Sequence, residues 1–303
     1  MTEINKKYTS KIKFLKVQGK IYLLSVGKAA TSMTEGLLEL CESEIEKGYM
    51  VIPYGYNFSH TKITVFNSGH PVPDENGEFA AKTILQFLEN TDEKDTIILL
   101  LFGGESALLP LPRNGITLQD KTETTRQLLL CGARIQETNA VKKHLSMIKG
   151  GNLAYKIRGA LIILILSDVL GDSLDSIASG PTVPDPTIYE DVSQILTKYN
   201  LWGKLPQNIE RLIKRVLEDL EEETPKNIPK RHFVEITASN KTCVNAGINK
   251  AKAMSFNTML LTTYLEGEAK EVTHALSSIV KEIKTQTIQL IYLGNYCWWR
   301  DNR

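Results

Sequence analysis

The apolar positions of this chain fall into short unbroken runs, separated by longer stretches in which apolar residues recur every three or four positions. IYLLSV (21–26), MVIPYG (50–55), ITVFNS (63–68), TIILLLF (96–102), LIILILS (161–167) and HFVEITAS (232–239) are of the first kind. Runs this short and apolar read as strands buried on both faces, the habit of parallel sheets. ENGEFAAKTILQFLENT is the clearest of the second kind, with Ala80, Ile84, Leu85 and Leu88 on one helical face. Thr117 with Asp120 marks another helix start and Gly132 its end; Ile135, Val141, Leu145 and Ile148 continue a stripe that Gly150-Gly151 closes. Residues 188–231 are helical and charged, with EDLEEETPKNIPKR as a solvated connector. NTMLLTTYL and the helical pattern after it repeat the strand–helix arrangement and place Glu266 and Glu268 at a helix entrance. Five or six such alternations predict an α/β fold with a Rossmann-like, mostly parallel sheet flanked by helices.

The strand ends carry the chemistry. Between Thr96 and Pro186 two apolar runs break directly into loops of Gly, Ser, Asp and Glu, the way open parallel sheets present phosphates and metals at their carboxyl edge. Gly27 permits a sharp turn and leaves Lys28 beside a helix N-terminus, where the dipole disfavours a cation. A bound anion would account for it; a solvated turn lysine is the alternative. Gly103 and Gly104 let backbone N–H groups approach an anion, and Ser106 adds a hydroxyl, although no GxxxxGK[ST] pattern occurs in the chain. Asn139, Lys142, Lys143, His144, Ser146 and Lys149 make one short basic segment, either a solvated face or a phosphate-binding one. Asp168, Asp172 and Asp175 follow a strand end, where carboxylates hold Mg2+ or cap helices. His70 stands in a proline-rich loop, where it contacts a substrate carboxylate or caps a helix. Ser179-Gly180-Pro181-Thr182 is a further constrained loop, and Ser239-Asn240 lies at the last strand–helix junction.

Composition narrows the partners. A net charge of +1 gives no electrostatic reason to expect nucleic acid or an anionic membrane. The four cysteines are far apart and form no CxxC pair, so they read as reduced thiols. No apolar run approaches the roughly 18–20 residues of a membrane span, and the basic N-terminus lacks the apolar core of a signal peptide. Cytoplasm is the expected compartment.

VGKAATSM, SGHPVPDENG, GGESALLPLP with GITLQDKTETTRQLLLCGA, NAVKKHLSMIKGG, LSDVLGDSLDSIASGPTVPDPTIY and LEGEAKEV resemble, in this order, the glycerate 2-kinase family. These are the type II glycerate kinases, in which an α/β domain precedes a C-terminal MOFRL domain. The resemblance implies transfer of the ATP γ-phosphate to the 2-hydroxyl of D-glycerate, giving 2-phosphoglycerate, and leaves a homodimer open. The family's Gly-Lys falls on Gly27-Lys28, so the resemblance makes Lys28 the catalytic residue that stabilises charge as the phosphoryl group moves. Its SDVxGD pattern falls on Asp168 and Asp172, which become candidates for Mg2+. The Gly103–Ser106 loop, Asn139, Lys142, Lys143, His144, Lys149, Ser239 and Asn240 become candidates for phosphate or the glycerate carboxylate.

Three departures stand against this pattern. Glu105 occupies a place where the family usually has Gly, and a carboxylate there repels phosphate unless a metal or lysine offsets it. The basic motif begins Lys142-Lys143-His144 instead of Arg-Lys-His, which gives up a bidentate donor. The chain ends in NYCWWRDNR, where the family continues through Gly-Gly-Glu-Thr-Thr into the MOFRL domain. Residues 297–302 can be encoded TGT-TGG-TGG-AGA-GAC-AAC, and one base later the same bases spell Val-Gly-Gly-Glu-Thr. The reading is a frameshift shortly before Cys297. It divides the chain into an N-terminal α/β domain (1–229), the remaining strand–helix units of that domain (230–296) and an out-of-frame tail (297–303), and the expected activity is weak or absent. A non-catalytic nucleotide or sugar-phosphate binding fragment is the rival reading. A hydroxypyruvate reductase is disfavoured because SVGKAATSM lacks GxGxxG.

Overall fold

The computed structural model describes residues 18–285 apart from 219, 220, 229, 230 and 266. Glu266, Cys297 and the 297–303 tail lie outside the described residues. Six strands form one sheet: β1 Ile21–Val26, β2 Ile45–Pro53, β3 Ile63–Ser68, β4 Thr96–Phe102, β5 Ala160–Ser167 and β6 His232–Ser239. The helices are α1 Ala30–Cys41, α2 Glu75–Glu89, α3 Glu105–Leu108, α4 Leu118–Leu130, α5 Ile135–His144, α6 Asn152–Lys156, α7 Tyr189–Lys198, α8 Gln207–Leu217, α9 Asn240–Ala253 and α10 Ala269–Thr285.

The strand order is β3-β2-β1-β4-β5-β6, and the pairings β3–β2, β2–β1, β1–β4 and β4–β5 are parallel. Contacts of β6 with β5 advance in the same direction, from Leu161 N–H to the Arg231 carbonyl to Thr237 Oγ1 on the Ile165 carbonyl. This is the doubly wound order, in which chain direction across the sheet reverses between β1 and β4. The central strands are apolar on both faces because helices cover both: Leu23, Leu24, Ile97–Leu100, Leu161 and Ile163 are all at most 1% exposed. A second apolar cluster joins α5, α7 and α8 through residues such as Val141, Tyr189, Leu196 and Ile213.

Local signals set the element ends. Asp74 caps α2 by accepting from the Gly77 N–H at 2.9 Å, and Thr117 and Asp120 close a reciprocal capping box on α4. Two expectations shift. The stripe from Ile135 does not stay helical to Ile148: α5 ends at His144, and the chain turns through Gly150 and Gly151, both at positive φ. NTMLLTTYL forms no strand; Met259, Leu260, Leu261, Tyr264 and Leu265 stand at 42–68% exposure, because no neighbouring strand pairs with this run among the described residues.

The chain divides into two compact units. One comprises the residues up to Leu166 with Leu174–Thr237, the other Ser167–Ser173 with the residues from Ala238 onward. No helix among the described residues is long and apolar enough to cross a membrane.

Candidate active site

The reversal between β1 and β4 opens a crevice at the carboxyl ends of those strands, where doubly wound sheets bind ligands. Two of the predicted loops meet there. The Lys28 N–H donates to the Gly103 carbonyl at 3.2 Å, tying the turn after β1 to the turn after β4. Gly27 has φ +130, and a Cβ on it would lie 2.5 Å from the Phe102 carbonyl oxygen, so only glycine lets the strands separate this narrowly. Gly104 has φ +96, and a Cβ on it would lie 2.9 Å from His70 Cδ2 and 3.4 Å from Lys28 Cε. The loop after β3 therefore reaches over β2 to bring His70 beside Lys28 and Gly104. Lys28, His70 and the diglycine turn form one constellation.

Ser106, Ser179 and Asn139 form a second. Ser179 Oγ lies 3.4 Å from Ser106 Oγ and donates to Asn139 Oδ1 at 3.4 Å. Ala178 (φ +56), Ser179 (φ +59) and Gly180 (φ +61) run consecutively in the left-handed region. For the two non-glycine residues this costs roughly 1–2 kcal/mol each, a strain held by the Gly150 and Gly151 N–H groups, which donate to the Ser179 and Gly180 carbonyls at 3.1 and 2.7 Å.

The basic segment splits in two. Lys143 and His144 turn into a buried network: Lys143 Nζ lies 3.4 Å from both Asp175 and Asp185, and His144 is fully buried. His144 Nδ1 faces the Ala140 carbonyl at 2.8 Å, with Asp185 at 3.7 Å, and Nε2 lies 3.1 Å from Glu223, off the line of a hydrogen bond. Burial pushes the Glu223 carboxyl up, but the His144 ring and the Thr224 and Tyr189 N–H groups outweigh it and hold it at about 2. Tyr189 donates to the His144 carbonyl at 2.6 Å and accepts from Arg113 at 2.8 Å; burial carries its hydroxyl to about 12.

Lys142 and Lys149 belong elsewhere. Lys149 is 1% exposed, 3.6 Å from the equally buried Glu105, and donates to the Ala178 carbonyl at 3.3 Å. Burial lowers the Lys149 pKa and raises that of Glu105, the reverse of what the pair's mutual attraction alone would do. Lys121 of α4 joins them, within electrostatic reach of Lys149, Glu105 and Lys142; burial first and Lys149 second bring it down to about 7. Burial and Lys149 likewise bring Lys142 to about 8.

Asp168, Asp172, Ser239 and Asn240 belong to the second unit. Asp172 (φ +55) follows Gly171 (φ +76) in a 3-10 turn, its N–H on the Val169 carbonyl at 3.1 Å. Ser239 precedes α9 without capping it, its Oγ 3.4 Å from Thr242 Oγ1. Asn240 Nδ2 lies 3.5 Å from the Thr263 carbonyl. No group of three or more His, Cys, Asp or Glu suited to a metal ion occurs among the described residues.

Residues 2–214 match the family described as a domain of unknown function, DUF4147. The chain is 43% identical over 272 residues to a glycerate 2-kinase of Pyrococcus horikoshii and 38% identical over 267 residues to a D-glycerate 2-kinase of Thermotoga maritima, alignments covering 89% and 88% of it. A crystal structure of the Thermotoga maritima glycerate kinase superposes with a TM-score of 0.80 at 34% identity, over 95% of this chain and 70% of that one. The chain belongs to the glycerate kinase family. A Pyrococcus horikoshii crystal structure gives a TM-score of 0.78 at 42% identity, over 88% of this chain and 61% of that one. This family member spans 61–62% of the length of the two curated relatives.

Sequence reasoning passed over Asp185, Lys121, Glu223 and Thr224. Asp185 is the hub of the buried network, 1% exposed, accepting from Thr187 Oγ1 at 2.7 Å and Thr224 Oγ1 at 3.2 Å besides facing Lys143. Its signal was the Pro-Asp-Pro tripeptide, which fixes a rigid turn around an acid. Lys121 carried no signal: a lysine in the first turns of an amphipathic helix looks solvated.

Proposed function

We propose that the chain is a glycerate 2-kinase acting on ATP and D-glycerate to give 2-phosphoglycerate. The observation that carries this reading is the convergence of Lys28, His70 and Gly104 at the β1/β4 crevice, in a chain of the glycerate kinase family. Phosphoryl transfer needs positioning and charge stabilisation more than covalent chemistry. Lys28, held by its backbone bond to Gly103, supplies a positive charge to the moving phosphoryl group. The diglycine turn leaves room for phosphate oxygens against the backbone. His70 faces the same space and serves as a hydrogen-bonding partner for the glycerate end.

Asp168 and Asp172 are the residues we assign to Mg2+. Two carboxylates suit this ion, which prefers oxygen ligands and keeps waters and phosphate oxygens as the remainder. When bound, Mg2+ neutralises phosphate charge in the reaction. In this reading Ser239 and Asn240 contribute hydrogen bonds to nucleotide or substrate, and the protein acts in the cytoplasm.

The test is ADP release by the purified chain on adding D-glycerate to ATP–Mg2+, with the product identified by phosphorus NMR. 2-Phosphoglycerate is expected, formed slowly, in keeping with the weak activity expected from the sequence. ADP release independent of glycerate, or NADH oxidation with hydroxypyruvate in its place, would remove the reading.

A further inference from the structure

Lys121 has no place in the machinery above, yet it is 8% exposed and its Nζ has no hydrogen-bond partner. A buried ammonium without a partner is costly, and its neighbours aggravate the cost. Lys149 and Lys142 press on it from the turn after α5 and from α5 itself, and Glu105 from α3 attracts it. Glu78 of α2 adds a weaker attraction, but its carboxylate is engaged by Lys82 at 2.5 Å. Glu105 in turn lies nearer its own partner, Lys149, at 3.6 Å, and neither Glu105 oxygen has a hydrogen bond. When all three amines carry their protons, three ammonium groups stand against one nearby carboxylate and two positive charges have no match. Lys142, the least buried of the three, marks the side on which the cluster meets solvent.

We propose that Lys121, Lys142 and Lys149 form a subsite for a phosphoryl dianion, with Lys121 Nζ as a direct ligand and Glu105 as the internal counter-ion that keeps the empty cluster tolerable. The naming of the anion as phosphoryl rests on the kinase reading; the charge imbalance does not. A dianion cancels the two unmatched charges, and its oxygens give Lys121 the acceptor it lacks. The same arrangement explains why a carboxylate is tolerated so near an anion loop: Glu105 is spent on Lys149. Binding should also take up protons, because an amine brought to about 7 by burial and its neighbours recovers its proton beside a dianion. Affinity is then greatest near neutrality, where the protonated amine and the dianion coexist. It falls as pH rises above about 7 and the amine discharges, and falls again in acid as the phosphoryl group takes up its second proton, with pKa about 6.

The experiment is calorimetric titration of the purified chain with inorganic phosphate, followed by competition with ADP and with 2-phosphoglycerate. Lys121→Met is expected to weaken phosphate about tenfold to a hundredfold, the size of a lost charge-assisted bond. Glu105→Gln is expected to tighten it, an opposite sign that no general loss of folding produces. Competition by ADP alone assigns the anion to the nucleotide, and competition by 2-phosphoglycerate alone to the product; either outcome supports the subsite. Wild-type affinity in Lys121→Met, no phosphate binding by the wild type, or weakening in Glu105→Gln would overturn it. None of these readings requires turnover, so a chain that binds phosphate but phosphorylates nothing would sink the kinase reading and leave the subsite standing.

Discussion

Two of the chain's Lys–Glu pairs stand at opposite edges of one sheet. At the amino edge Lys20 and Glu46 meet at 2.8 Å with side chains 59% and 51% exposed. At the carboxyl edge Lys149 and Glu105 stand 3.6 Å apart with side chains 2% and 1% exposed. The exposed pair behaves as partners should: Glu46 raises the Lys20 pKa and Lys20 lowers that of Glu46. In the buried pair both shifts reverse, since each group loses more by leaving water than it regains from the other. The amino edge thus has charges that water would accept anyway. The carboxyl edge has charges that the fold keeps at a cost, and a cost retained at the mouth of a doubly wound crevice is a sign of binding.

Substitutions at the two edges should therefore differ in kind. The largest effect is expected from Lys28→Met, which should lower glycerate phosphorylation by roughly a hundredfold to a thousandfold, the usual loss for one preorganised charge-stabilising group. Lys20→Met, at the opposite end of β1, should leave it unchanged. Steady-state kinetics on both variants decides this, and equal losses would mean that the edges are not functionally distinct. Next comes Glu105→Gln, which leaves Lys149 and Lys121 without their counter-ion and should lower unfolding free energy by about 3 kcal/mol, as breaking a buried pair does. Urea denaturation measures it, and an unchanged midpoint would show that the buried lysines discharge freely on their own.

How far this contrast was legible in the sequence depends on which residues carry it. The strands were legible because a run such as TIILLLF needs no context to be recognised as buried on both faces. The meeting of Lys28 with Gly103 and Gly104 was half legible: both turns were marked by glycine after an apolar run, but only the strand order β1–β4 makes them neighbours. The split of the basic segment was not. Lys142, Lys143, His144 and Lys149 look alike in a list, and what separates them is the partner each meets from a distant stretch: Asp185 and Asp175 for Lys143, Glu223 for His144, Glu105 for Lys149. Lys121 carried no sequence signal for the same reason. NTMLLTTYL misled in the opposite direction, because an apolar run specifies a strand only when a neighbour is present to pair with it.

Lys121 sharpens the comparison through pH. Its pKa is lowered in the folded protein to about 7, so the folded state prefers the neutral amine. The penalty is fully present below about pH 7 and is relieved as pH rises towards the unfolded lysine value near 10.4. Replacing Lys121 by Met removes the penalty, so the variant should exceed the wild type in stability by about 1–3 kcal/mol at pH 7, in line with apolar replacement of buried charge. The gap should narrow towards pH 10. Thermal unfolding across this range tests it, and a variant less stable than the wild type at pH 7 would mean that Lys121 is a structural partner after all.

The smallest effect belongs to the exposed pair and is the control for all the others. Glu46→Gln breaks a 2.8 Å contact, shorter than the buried 3.6 Å one, so a ranking by distance would give it the greater consequence. Exposure says otherwise: both groups recover full hydration when separated, and salt already screens their attraction. The urea midpoint of Glu46→Gln should coincide with that of the wild type at both low and high salt. A measurable loss confined to low salt would show that charge at the amino edge also contributes to the fold. The two edges would then differ in degree of hydration alone, and retained charge would lose its value as a marker of the binding crevice.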